Sequence, residues 1–529
     1  MKQYRYREYL VNVLPCIGYG VLCGTLTGIL IFSFKLGAGQ IEHLSKACYA
    51  LARQNSLGIV ALLAALVTFA FIMSWLQKKI PEARGGGIPM TEGILRGVLS
   101  FRQKRTILGI LIGSIISFLC GIPLGSEGPA VLMGTAIGAL CGIFLRNRSA
   151  WNRYVMTGGA AAGFAVATGA PLSAMLFALE EIHKRFTPML VLSVSMAVLS
   201  ATYVNSTLCA TFGVSTSLFH FPTLAHFDLQ HTGYLLLFGL LISLAVGLFD
   251  ASIMLYGRFT KRISRHFKKT VKLLIVFTLT GILGLCFSDA LYSGHETIEK
   301  IASENQPLLY LILILLIRSL MMLLVTDSGA TGGIFIPTFA IGAAAAAIAA
   351  KLLILLGMPT ELYTTSVLLG MCAFTGGTLR SPLTAAILFI ELTGQFSNLF
   401  FVTLVVFIVS FITEVVNIQP FYDRVLEDIE HAQNEGKTPC IACFEMKVLQ
   451  GAFVVGKSVR DIMWPPSSVV ISITRAENRE QDMDHDGEKK LFVGDTLILR
   501  SRFFDEQELI LHLQALVGAN QTIQKTEIT

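Results

Sequence analysis

Apolar stretches recur from residue 11 to about residue 417, and this repetition limits the fold more than any other feature of the chain. Residues 57–76, 234–256 and 308–325 form runs long enough to cross a hydrocarbon core of ~30 Å as single helices. Other runs, at 107–123 and 163–179, are short or broken by Gly and Pro, and 331–356 is nearly uncharged but opens on Gly-Gly and a proline. Short interrupted segments predict helices that end inside the membrane, which is tolerated only where the freed backbone lines a cavity or a site. Charge supports the lipid environment: only 14% of the 529 residues are Asp, Glu, Lys or Arg, against about 25% in soluble chains. The expected class is an all-α polytopic membrane protein.

The basic residues cluster. One group is Lys78, Lys79, Arg84, Arg96, Arg102, Lys104 and Arg105; the other is Arg258, Lys261, Arg262, Arg265, Lys268, Lys269 and Lys272. Both lie between apolar runs, so the positive-inside rule makes them cytoplasmic loops rather than nucleic-acid patches. Residues 211–233 contain no Lys or Arg and carry His220, His226, Asp228 and His231, which places them on the outer side. The N-terminus, with Lys2, Arg5 and Arg7, has no small-residue cleavage site and reads as uncleaved.

The chain repeats itself. Ala170-Pro171-Leu172-Ser173-Ala174 leads to Glu180, and Ser381-Pro382-Leu383-Thr384-Ala385 leads to Glu391, with nine residues from proline to glutamate in both. Each is preceded by a Gly-rich turn ending in proline, at Pro129 and Pro337, 42 and 45 residues upstream. Such order predicts a duplicated transporter core with its site between the halves. From about Phe421 the composition turns soluble. The expected division is a membrane domain over 1–430, a linker over 431–445 and a small α/β domain over 446–529, with strands at 467–474 and 495–500 and a final helix at 505–517.

Three Gly-rich turns open apolar helices: Gly85-Gly86-Gly87-Ile88-Pro89, Gly125-Ser126-Glu127-Gly128-Pro129 and Gly333-Ile334-Phe335-Ile336-Pro337. Unpaired N–H groups at helix starts bind anions with partial charge, and a partial charge lets the ion leave again. Glu127 sits in such a turn, where it is either a capping carboxylate or a gate that occupies the anion's own place and carries a proton. Glu180 and Glu181 precede His183, Lys184 and Arg185; they form either an i,i+4 ion-pair patch or an inner proton entry. Glu391 is a buried structural acid or a coupling residue.

These turns, in this order, with Glu180-Glu181 and Gln419-Pro420-Phe421-Tyr422, resemble the CLC family of chloride channels and proton/chloride exchangers over about residues 10–430. The resemblance implies an inverted-repeat core with broken, re-entrant helices and a homodimer with one pathway per subunit. It implies that Glu127 is the external gate and Glu181 the internal proton-transfer acid. The anion contacts it implies come from the turn residues Gly86, Gly125, Ser126 and Gly128, the N–H groups of Ile334 and Phe335, and the Tyr422 hydroxyl. Having both Glu127 and Glu181 favours proton-coupled exchange over a passive channel. The expected setting is the cell (inner) membrane, with both termini cytoplasmic, the anion as substrate and no cofactor. Gly86 stands where the family often has serine, so chloride selectivity is open to nitrate or bromide; Ser126 stands where some relatives carry Arg or Lys.

Segments 458–463 and 469–475 and Gly494-Asp495-Thr496-Leu497 resemble the C-terminal domain of RCK modules, which implies a small-molecule regulator or dimer contacts, unless the tail is passive. Cys440 and Cys443 form a CxxC pair with only His431 near, short of a zinc set and read as reduced surface thiols, a shared zinc or a redox switch. Asp482-x-Asp484-x-Asp486-Gly487 begins like a calcium loop but has Val493 at the twelfth place, so a surface hairpin is expected. No cation filter of the Thr-Val-Gly-Tyr-Gly kind occurs, and no nucleophile–base pair on the spans suggests an enzyme.

Overall fold

The computed structural model describes residues 2–143, 149–184, 186–216, 219, 221, 224–263, 269–303, 306–433, 440–465, 467–476, 481–483, 487–518 and 523–527. Arg185, His220, Arg265, Lys268, Asp484 and Asp486, singled out above, lie outside them.

The long apolar runs are helices: α1 (Lys2–Arg53), α2 (Ser56–Lys79), α3 (Ile88–Leu95), α4 (Gln103–Leu119), α5 (Glu127–Ile143), α6 (Asn152–Thr168), α7 (Pro171–Phe177) and α8 (Pro188–Phe212). The second half continues with α9 (Thr232–Ile263), α10 (Lys269–Cys286), α11 (His295–Ser303), α12 (Leu308–Ser328), α13 (Phe335–Leu355), α14 (Tyr363–Leu379), α15 (Pro382–Thr393) and α16 (Leu399–Val415), followed by α17 (Phe421–Gln433). Among the described residues, nine helices are long and apolar enough to cross a membrane. α3, α7 and α15 are too short to span.

The repeat is visible in local conformation. α7 and α15 both begin on a proline, whose fixed φ and missing N–H suit a helix start. The residues before them, Ala170 and Ser381, share nearly one conformation, with φ −121° and ψ 83° against φ −123° and ψ 69°. α6 and α14 both end on a left-handed residue, Gly169 in one half and Arg380 in the other.

α5, α6, α13 and α14 are apolar on all sides because they lie in the protein interior. Small residues let α5 and α6 touch backbone to backbone. A Cβ on Gly134 would fall 2.1 Å from the Gly159 carbonyl oxygen, and one on Gly163 would fall 2.2 Å from that of Ala130.

Beyond α17 a separate five-stranded antiparallel sheet runs in the order β3-β2-β4-β1-β5. Its strands are β1 (Cys440–Lys447), β2 (Ser468–Thr474), β3 (Gln481–Met483), β4 (Thr496–Phe503) and β5 (Gln524–Glu527), with α18 (Glu506–Val517) packed through Leu513 and Leu516. Two strands and the helix agree with the sequence. β1 does not: it starts at Cys440, inside the stretch expected as linker, and pairs with β4 from Cys440↔Phe503 to Lys447↔Thr496. Cys440 and Cys443, three apart on a strand, therefore point to opposite faces of the sheet, which sets the CxxC reading aside for a single chain.

Candidate functional site

The three glycine turns meet. Gly125 N–H donates to Gly333 O and Gly333 N–H to Gly125 O, both at 2.7 Å, a two-residue bridge that joins the starts of α5 and α13. The first turn packs against them at backbone distance: a Cβ on Gly128 would lie 1.8 Å from Gly86 O, and one on Gly87 2.2 Å from Gly128 O. Only glycine permits that approach, and Gly87 also has φ 72°. The bridge changes one expectation. The Gly125 amide is spent on Gly333, so Gly125 braces the site instead of offering a donor. No backbone acceptor takes the amides of Ser126, Gly128, Ile334 or Phe335 among the described residues. Those groups remain at the positive ends of two helices.

Glu127 opens α5 and is fully buried. Its Oε1 accepts from Ser126 Oγ at 3.2 Å, while Oε2 has no partner. The side chain folds back over its own turn: a Cβ on Gly125 would lie 2.1 Å from Oε2. Lys35, on α1, is the cation whose field reaches this carboxylate, and its ammonium donates to Val166 O at 3.0 Å.

Tyr422, in the first turn of α17, is also fully buried, and its hydroxyl has no hydrogen-bond partner among the described residues. An unpaired buried hydroxyl is costly, so its retention marks a place that a ligand can occupy. Phe335 stands edge-on to Phe164 at 5.0 Å, and Phe164 stacks on Phe177 at 4.5 Å, which forms an aromatic wall beside the turns.

Glu181 lies on a π-turn, Ala178–Ile182, that widens the end of α7. It is buried, and its Oε1 is unpartnered. Within its electrostatic reach is Glu92 on α3, also buried, with both carboxylate oxygens unbonded and Arg96 Nη2 at 3.6 Å. Arg96 Nη1 and Lys184 Nζ both bind Asp423, each at 2.8 Å. A chain of ionisable groups thus leads from Glu181 to the face that carries the C-terminal domain.

Of the two readings of Glu180 and Glu181, the i,i+4 pair of Glu180 with Lys184 does not form among the described residues, because Lys184 leaves the helix at φ 52° and turns to Asp423. Glu180 instead accepts Leu383 N–H, Thr384 N–H and the Thr384 hydroxyl. Glu391 accepts Leu172 N–H, Ser173 N–H and the Ser173 hydroxyl. Both are helix caps.

The profile of the family described as "Voltage gated chloride channel" matches residues 69–414, about two thirds of the chain. The chain belongs to the CLC family. The CLC protein of Citrobacter koseri named H(+)/Cl(-) exchange transporter ClcA is 28% identical over 420 residues, covering 76% of this chain and 86% of the relative. The ClcA of Salmonella arizonae is 28% identical over 436 residues, covering 79% and 90%. A solved CLC structure, that of a slow cyanobacterial Cl-/H+ antiporter, superposes with a TM-score of 0.72 at 26% identity, over 79% of this chain and 99% of that one. A CLC-type fluoride/proton antiporter, at 22% identity and a TM-score of 0.63, shares the fold.

Within this CLC site the sequence reading passed over Glu92 and Asp423. The signal was present: Glu92 and Arg96 are spaced i,i+4 on the short helix that follows the first glycine turn, and Asp423 follows Tyr422 directly.

Proposed function

We propose that the chain exchanges chloride, or a small anion like it, for protons across a membrane. The carrying observation is the bridged meeting of the starts of α5 and α13, whose free amides surround the buried Glu127 carboxylate, with the orphan Tyr422 hydroxyl within electrostatic reach of that carboxylate. Ile334, Phe335, Gly128 and Ser126 offer N–H dipoles, and Tyr422 offers its hydroxyl, so the ion is solvated without a fixed cation in contact. Ionised Glu127 takes the anion's place over Gly125. Protonated, it no longer suits the amides and yields to the anion. Glu181 receives or supplies that proton from the opposite side, and the Glu92, Arg96 and Asp423 chain connects it to water.

The relatives named as proton/chloride exchangers support the same reading. So does the joint presence of Glu127 and Glu181. In this reading the face with the C-terminal domain is cytoplasmic, in keeping with the basic clusters. The protein works as a homodimer in the cell (inner) membrane, and the C-terminal domain is a regulatory module for a small molecule.

The experiment is flux from vesicles loaded with chloride. Purified protein should drive protons against their gradient when chloride runs down its own. Glu127→Ala should pass chloride and move no protons; proton pumping undiminished by this change would remove Glu127 from the mechanism.

A further inference from the structure

A cavity of about 850 Å3 opens beside the first glycine turn. Gly85, Gly86, Gly332 and Ile334 line it, and α17 lines it through Phe421, Arg424 and Val425. Its acids are engaged. Asp327 takes Lys272 Nζ at 2.8 Å and the Tyr256 hydroxyl at 3.0 Å, Glu427 takes Gln419 Nε2 at 2.9 Å, and Asp428 has an interaction of its own. Arg424, on α17, is tied to Asp250 at 2.7 Å.

Arg84 is different. It lies directly before Gly85, half-buried in the cavity wall. Its Nε is buried with no hydrogen-bond partner, and no carboxylate acts on its guanidinium among the described residues. A partly buried guanidinium without an anion is an unfavourable arrangement unless a mobile anion supplies the missing charge. The neighbouring residue sharpens the point. Gly86 has no hydroxyl for an incoming ion, and two residues before it the Arg84 fork, a strong donor, lines the same cavity.

We propose that Arg84 holds a small monovalent anion in this cavity, a binding place separate from the turns around Glu127, and that its paired N–H groups favour planar oxyanions such as nitrate there over chloride. Two parallel N–H groups match two oxygens of one planar ion, whereas a halide presents a single centre. The inference rests on the exchange function proposed above for its role in transport, and not for the binding itself.

Three variants test it: Arg84→Gln, Arg84→Lys and, as a control, Arg258→Gln, which removes an exposed cation from the same cavity. In oriented vesicles, Arg84→Gln should raise the half-saturating nitrate concentration on the C-terminal-domain side about tenfold, as loss of one charge-assisted contact does, with little change in maximal rate. Arg84→Lys should restore chloride more fully than nitrate, because it keeps the charge and loses the fork. Bromide soaked into crystals should give an anomalous peak at the Arg84 guanidinium that disappears in Arg84→Gln. An equal shift in Arg258→Gln would mean general attraction by the cavity, and would overturn the site. An unchanged half-saturation with an unchanged bromide map would also overturn it. If the unaltered protein moves no anion at all, the transport reading falls, and the bromide peak still decides whether Arg84 binds one.

Discussion

Glu180 and Glu391 each cap the short helix of the opposite half. Glu391 binds the start of α7 through Leu172 N–H at 2.7 Å, Ser173 N–H at 2.8 Å and Ser173 Oγ at 2.6 Å. Glu180 binds the start of α15 through Leu383 N–H at 3.0 Å and Thr384 N–H and Oγ at 2.8 Å. The two halves are thereby latched by the same three bonds made twice.

That symmetry predicts equal costs. Glu180→Ala and Glu391→Ala should each lower stability by about 2 kcal/mol, a capping loss moderated by partial exposure. Thermal unfolding of the purified protein should show similar drops for the two variants. The proton-to-anion ratio should stay as in the unaltered protein; a changed ratio for Glu180→Ala alone would mean that Glu180 carries protons.

How much of this the sequence disclosed depends on distance along the chain. The nine-residue interval from proline to glutamate was visible in both halves. Nine residues of helix rise about 13 Å, so neither glutamate reaches the start of its own helix. The crossing itself needs the fold. Convergence of the three glycine turns was legible from their order, whereas the spending of the Gly125 amide on Gly333 was not, because a bridge between residues 208 positions apart leaves no local pattern. The different fates of Glu180 and Glu181 were hidden because adjacent positions on any helical turn face different ways, and only the fold shows which of the two meets α15 and which is buried. Glu92 stands i,i+4 to Arg96, a spacing that says nothing of burial, and only the fold shows the carboxylate to be buried.

The position of the Glu127 carboxylate over Gly125 makes that glycine a control point. A methyl group at 125 would meet Glu127 Oε2 at 2.1 Å and Cδ at 3.3 Å, while the contact outside that side chain, Gly333 O, stands at 3.6 Å. The flexible carboxylate is the part that gives way. Gly125→Ala should therefore fold and move the carboxylate off its seat. In vesicles it should raise chloride flux and lower the number of protons moved per chloride, a milder form of Glu127→Ala. Coupling equal to that of the unaltered protein would show that the seat over Gly125 is not part of the gate.

Asp423, beyond the last span, supplies a pH prediction. Burial opposes its ionisation, but the hydrogen bonds from Lys184 and Arg96 outweigh burial and hold its carboxyl below the usual range. A carboxyl depressed in the folded state stabilises that state at pH values above its unfolded value, ~4, and loses that contribution as pH falls through the folded value. The clamp of α3 and the Lys184 loop onto α17 should thus hold at neutral pH and weaken below about pH 4. Asp423→Asn should cost of order 1 kcal/mol at pH 7, as partly exposed ion pairs do. Its penalty should shrink toward zero in the acid range, which unfolding temperatures measured from pH 7 down to pH 3 would reveal. A penalty independent of pH would assign Asp423 a packing role instead.

The last prediction concerns Gly86, the departure from the family pattern. Its backbone is ordinary, and the nearest atoms to a Cβ there would be Ile334 Cγ1 at 3.5 Å and Gly332 O and Ile334 Cδ1 at 3.7 Å, all comfortable contacts. Glycine is therefore not required at 86 by space or by backbone, unlike Gly87 and Gly128 on either side of the junction. Gly86→Ser should fold normally and present a hydroxyl near the converging turns. A hydrogen bond from a hydroxyl to an ion contributes about 1.5–3 kcal/mol when well placed. Because the hydroxyl is a single donor, it suits a compact halide better than a planar oxyanion already served by the Arg84 fork. The chloride-to-nitrate flux ratio should consequently rise by about tenfold. Relative fluxes of chloride, bromide and nitrate in one vesicle preparation measure it, and an unchanged ratio would mean that the ion never comes within reach of position 86.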